Sequence, residues 1–135
     1  MRPKLLMLTV IAALAPPLHA ASAHPKLVSS TPPANGTVAM APALISATFN
    51  EPLTLALSKL TLFDASARAV PLDSLTAAAA DSKTLVAKTT TKLAVGRYTV
   101  KWQAAGADGH PMKGEFTFVV AEPGAGSQRT RTAGR

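Results

Sequence analysis

An antiparallel β-sandwich of about seven strands is the fold class this sequence predicts. Two observations carry that reading. Short runs of alternating apolar and polar residues recur along the chain, and clusters of Pro, Gly, Asn and Asp separate them.

The first run is "KLVSS" (26–30), closed by the turn cluster "TPPANG" (31–36). "ALISATFN" (43–50) sets Ile45, Ala47 and Phe49 on one face, as residues two apart in a strand share a side. "SKLTLFD" (58–64) sets Leu60 and Leu62 against Lys59, Thr61 and Phe63. "ARAVPLD" (67–73) is a weaker run whose Pro71 marks a sheet edge, because proline cannot donate to a ladder. "LDSLTAAAADS" (72–82) reads as a short helix or a loop. "KTLVAKTT" (83–90) is a further strand. "GRYTVKWQA" (96–104) aligns Tyr98, Val100 and Trp102, and "GEFTFVV" with Ala121 (114–121) aligns Phe116, Phe118 and Val120. Trp102 falls at a core position of its run, so packing is its expected role.

The 135 residues divide into three parts. Residues 1–23 read as a secretory signal peptide: Arg2 and Lys4 precede the apolar run 5–15, Pro16 and Pro17 break it, and "ASA" (21–23) is a small-residue cleavage site. A run of 11 residues is too short for a membrane-spanning helix. Cleavage after Ala23 makes His24 the new N-terminus. Residues 24–121 form the domain, and 122–135, Gly-, Ser- and Arg-rich, form a disordered basic tail. With no cysteine, the domain rests on its hydrophobic core, without disulfides or thiolate metal sites. From His24 onward the chain keeps 12 basic and 7 acidic residues. Three of the basic ones are Arg129, Arg131 and Arg135; the others are scattered and not interleaved with aromatics, which argues against nucleic-acid binding.

Two histidines remain after His24 becomes terminal: His24 itself and His110 in "AGADGHPMKGEF" (104–115). A terminal histidine offers a metal its free amine and its imidazole. Pro25 has no backbone N–H, so no deprotonated amide can follow as a ligand. His110 supplies a third nitrogen. Asp108, two residues before it, supplies an oxygen and projects to the same side if the segment is extended; Gly109 permits an unusual backbone between them. Three nitrogens and one oxygen in a tetragonal array suit Cu(II), or less often Ni(II). The bland alternative is a turn in which Asp108 bonds backbone amides and His110 precedes Pro111 without binding anything.

These residues also carry a resemblance. "HPKLVSSTPPANG" (24–36), "ATFNEPL" (47–53) and "GRYTVKWQAAGADGHPMKGEFTFVV" (96–120) resemble the CopC family of periplasmic copper-binding proteins. The resemblance implies a Greek-key β-sandwich or barrel, cupredoxin-like or immunoglobulin-like. It implies one Cu(II) per chain, held by His24, Asp108 and His110, with Glu51 of "FNEPL" as a nearby acid that orients a ligand. It further implies a periplasmic monomer, not an enzyme, that carries or buffers copper in resistance or uptake and hands it to an inner-membrane protein of the CopD type. Family members with a methionine-rich loop also hold Cu(I). Beyond the signal this chain has only Met40 and Met112, so a separate Cu(I) site is not expected.

Two other readings compete. A terminal histidine with a second histidine also builds the copper brace of lytic polysaccharide monooxygenases. Those enzymes carry aromatic substrate faces, whereas the aromatics here fall at core positions, and Asp108 as a ligand closes the position oxygen needs. A structural sandwich without metal is the third reading.

Overall fold

The computed structural model describes residues 24–78 and 81–124. The expected signal peptide (1–23) and most of the expected tail lie outside the described residues. Nine strands are described: β1 Leu27–Thr31, β2 Gly36–Val38, β3 Leu44–Phe49, β4 Lys59–Phe63, β5 Ala69–Val70, β6 Thr76–Ala77, β7 Thr84–Lys88, β8 Gly96–Ala105 and β9 Pro111–Val120, with one 3-10 turn at Leu55–Leu57. They form two sheets. One has the order β1-β3-β7-β6 and the other β2-β9-β8-β4-β5. The chain passes between sheets after β1, β2, β3, β5 and β7, so the two layers are woven together. Among the described residues no helix is long and apolar enough to cross a membrane.

The alternating runs become the core. Ile45, Ala47 and Phe49 from β3, Leu60 and Leu62 from β4, Leu85 and Ala87 from β7, Tyr98 and Val100 from β8, and Phe116, Phe118 and Val120 from β9 are all buried between the sheets. Burial of such side chains contributes about 1.5–3 kcal/mol each and is the main force holding the layers. Trp102 is half-buried and packs edge-on against Phe49, with ring centroids 5.1 Å apart. The Trp102 ring lies over Gly114, its partner across the β8–β9 ladder.

Three features depart from the sequence reading. The sheet is not wholly antiparallel: β2 runs parallel to β9, pairing Gly36 with Phe118 and Val38 with Val120. That placement is fixed by the turn before it. Asn35 adopts a positive φ of 60°, and its N–H donates to the Thr117 carbonyl at 2.7 Å. The alanine-rich stretch contributes a two-residue strand, β6, at the edge of the four-stranded sheet, where a helix or loop was expected. Finally β9 begins at Pro111, three residues before the expected start. Proline is tolerated as the first residue of a strand, since no ladder N–H is lost inside it. Pro71 follows β5, which is the edge of the five-stranded sheet as the proline implied.

Candidate metal centre

Three segments meet at one end of the sandwich. The first is 24–26, leading into β1. The second, 50–58, crosses from the end of β3 to the start of β4. The third is the turn 106–110 between β8 and β9. Backbone and side-chain bonds stitch them. Asn50 accepts the Lys26 N–H on Oδ1 at 2.7 Å, and its own N–H donates to the Lys26 carbonyl at 3.1 Å. Thr54 N–H donates to the Ala105 carbonyl at 2.8 Å, and its hydroxyl donates to the Gly106 carbonyl at 3.2 Å. The crossing segment therefore ties the chain start to the β8–β9 turn. Pro25 is fully buried, which pins the chain just after His24. A bulge follows: Leu27 faces Phe49 and Ser29 faces Thr48, so Val28 has no opposite residue and is thrown outward, 66 % exposed.

Asp108 and His110 are brought together, but not by an extended backbone. Gly109 takes a φ of +75°, a conformation that glycine adopts without a Cβ penalty, and its N–H closes the turn on the Gly106 carbonyl at 3.1 Å. Asp108 Oδ1 accepts the His110 backbone N–H at 3.1 Å. Its Oδ2 lies 3.3 Å from His110 Nδ1, with the imidazole 78 % exposed. The turn thus presents an imidazole nitrogen and a carboxylate oxygen side by side at the surface. Two donors at that separation can share one ion bonded at about 2 Å to each.

His24 is exposed at the same end, and its side chain does not close a set with that pair. Among the described residues no group of three or more His, Cys, Asp or Glu side chains converges on one point. In the full-length chain the His24 nitrogen is an amide bonded to Ala23, so the amine is not yet a donor. Glu51, on the crossing segment next to Asn50, is half-buried. Its Oε1 is shut off from solvent with no hydrogen-bond partner among the described residues. Trp102 Nε1 is buried and unpartnered in the same way. Buried carboxylate oxygens are ordinarily hydrogen-bonded, so Glu51 Oε1 is an acceptor left open at this end among the described residues. Asn50 and Thr54, which hold the end together, carried no signal in the sequence; each acts through a partner 24 or more positions away.

The fold and this end define a class: a small two-sheet sandwich with a surface donor pair on the β8–β9 turn. Residues 27–121 match the CopC domain, and the chain belongs to the CopC family. Copper resistance protein C of Escherichia coli is 40% identical over 106 residues, which cover 74% of this chain and 83% of that protein. Among solved structures, CopC from Methylosinus trichosporium OB3b superposes with a TM-score of 0.68 at 29% identity, covering 73% of this chain and 95% of that one. PcoC, a methionine-rich copper resistance protein from Escherichia coli, superposes with a TM-score of 0.66 at 37% identity, covering 73% and 99%.

Proposed function

We propose that this protein is exported to the periplasm, begins there at His24, and binds one Cu(II) as a monomeric copper carrier or buffer in copper resistance or uptake. The observation that carries the reading is the Asp108–His110 pair, 3.3 Å apart and open to solvent, at the end of the sandwich where the chain's other retained histidine emerges. Membership of a family that includes copper resistance proteins supports it.

The donor set fits copper. His24 contributes its amine and imidazole once the bond to Ala23 is cut, His110 a third nitrogen, and Asp108 an oxygen. Copper(II) stands highest among divalent first-row ions on such nitrogen and oxygen ligands. Pro25 cannot offer an amide nitrogen, so the set is completed from the β8–β9 turn. A metal-bound amine keeps N–H groups. The orphaned Glu51 Oε1 is the acceptor for one of them, which makes Glu51 an orienting residue and not a ligand. The ligands sit at a surface, so the ion exchanges readily, as a carrier requires. No step of bond-making follows, and the protein is read as a carrier and not an enzyme. The receiving partner is an inner-membrane transporter of the CopD type.

A Cu(II) titration of the exported protein tests this. One equivalent binds, His110→Ala and Asp108→Ala each weaken binding at least about tenfold, and Glu51→Gln weakens it by a smaller factor. Because every ligand must be deprotonated, affinity falls as pH drops below neutral. Binding unchanged by His110→Ala would sink the reading.

A further inference from the structure

We propose that the outer face of the five-stranded sheet docks on an anionic phospholipid bilayer through Lys59, Arg97, Lys101 and Lys113. None of the copper ligands takes part, and the only premise shared with the function above is export of the chain.

Strand register gathers these cations, which are scattered in the sequence. Alternation turns each of them away from the core, since Leu60, Tyr98, Val100 and Phe116 on the same strands point inward. Lys59 and Lys113 flank Gln103 in one row across β4, β8 and β9, about 10 Å apart. Lys101 stands in the next outward row along β8, and Arg97 four residues before it, so the patch runs about 20 Å along the strand. All four are exposed. The Lys101 ammonium lies 5.1 Å from the centre of the Phe63 ring, an attraction that keeps it on this face. Among the described residues none of the four is in an ion pair. Glu115, across the ladder from Lys101, is the one acid on the outward side of these strands. Asp64 shares a hollow with Arg97 and Lys101 at the edge of the patch, but it is paired with Arg68 at 3.3 Å. The face therefore carries a net excess of three positive charges. The other sheet differs: the outward residues of β3 and β7 are Leu44, Ser46, Thr48, Thr84, Val86 and Lys88, with one cation and no acid.

The chemistry of the face selects its occupant. A stable protein interface has an apolar centre depleted in Lys and Glu. Here the outward apolar side chains of β4, β8 and β9, Phe63 and Val119, are half-buried, and none of the large exposed hydrophobic residues among those described projects from this face. It has no row of aromatic rings on which bases could stack. A layer of anionic headgroups requires neither an apolar centre nor a matching shape. Each Lys or Arg near such a surface strengthens binding about fivefold. Arg129, Arg131 and Arg135 follow β9, a strand of this sheet, within 15 residues of its end, and Glu122 is the sole acid after that strand. A carrier held in this way stays at the membrane where a transporter receives its copper.

Co-sedimentation of the exported protein with vesicles tests the proposal. The wild type binds vesicles of equimolar phosphatidylglycerol and phosphatidylcholine at low ionic strength, but not vesicles of phosphatidylcholine alone, and added salt releases it by screening the charges. Arg97→Gln combined with Lys101→Gln weakens binding at least about tenfold. Arg97→Lys combined with Lys101→Arg keeps both charges and binds as the wild type. Lys83→Gln combined with Lys88→Gln removes the same charge away from this face and weakens binding by less than about threefold. No binding to the anionic vesicles overturns the inference, as does binding that persists at high salt or an equal loss in the two charge-removing pairs. Binding of polyglutamate in place of vesicles, lost with Arg97 and Lys101, would give the face to an acidic protein and overturn it too. The vesicle assay needs no copper, so its failure leaves the copper reading standing, and failure of the copper titration leaves this one standing.

Discussion

Replacing Gly114 with alanine should destabilise the domain through one identifiable clash. A Cβ built at Gly114 lies 2.7 Å from Trp102 Cε2 and 3.1 Å from Cη2, and nearer still to Cζ2. The obstacle is a rigid ring and not the end of a flexible chain. Its movement is limited by Phe49, buried to 1 % exposure, which packs against it in a T-shaped contact at 5.1 Å. Overpacking of this kind costs about 1–3 kcal/mol. A domain of this size loses about 4–8 °C in Tm per kcal/mol, so Tm should fall by about 5–20 °C. Thermal unfolding followed by circular dichroism reads the loss. The emission of Trp102, the only tryptophan, reads the displaced ring. In a Trp102→Phe background the atoms in conflict are gone, and the penalty of Gly114→Ala should shrink by about 1 kcal/mol or more. A Tm within about 2 °C of the wild type, or an equal penalty in the Trp102→Phe background, would refute the reasoning.

Two further outcomes follow from local structure. The Asp64 carboxylate at the β4–β5 turn is held below its ordinary value of 3.8, chiefly by the Arg68 backbone N–H; desolvation opposes this, and the Ser66 N–H and the Arg68 guanidinium add to the lowering. A depressed carboxylate stabilises the fold above its unfolded value and loses that contribution as pH falls through the folded one. The Tm penalty of Asp64→Ala should therefore be largest near neutrality and close as pH drops below 3.8, and a penalty that grows in acid would contradict this. Tyr98→Phe removes a buried hydroxyl that donates to the Ala94 carbonyl at 2.9 Å but keeps the ring stacked on Phe118, so chemical denaturation should show a loss of about 0.5–1.5 kcal/mol. An unchanged midpoint would mean the bond contributes nothing.

The inward faces of β3, β4, β8 and β9 were legible because each run is long enough to show a period of two. Ile45, Ala47 and Phe49, or Phe116, Phe118 and Val120, can be assigned by counting alone. β2 and β6 were not legible, since three and two residues do not span enough of a period, and β2 is held by a strand remote in sequence, β9. The Asp108–His110 pair was legible from spacing, although through a glycine turn instead of the extended segment that spacing first implies. Its place after the cleavage site pointed to His24, and the family resemblance pointed to Glu51. What no spacing could reveal was that Asn50 ties the chain start to the crossing segment, or that Glu51 Oε1 is sealed without a partner. Those facts arise only when segments from both sheets close over one another.

The central claim is that export completes the copper site by freeing the amine of His24. Electron paramagnetic resonance of Cu(II) on the protein that starts at His24, compared with the same protein carrying one additional residue before it, tests this most directly. A nitrogen-rich tetragonal signal in the first, changed or weakened in the second, is the predicted result. Identical spectra would show that the terminal amine is not a ligand and would contradict the account.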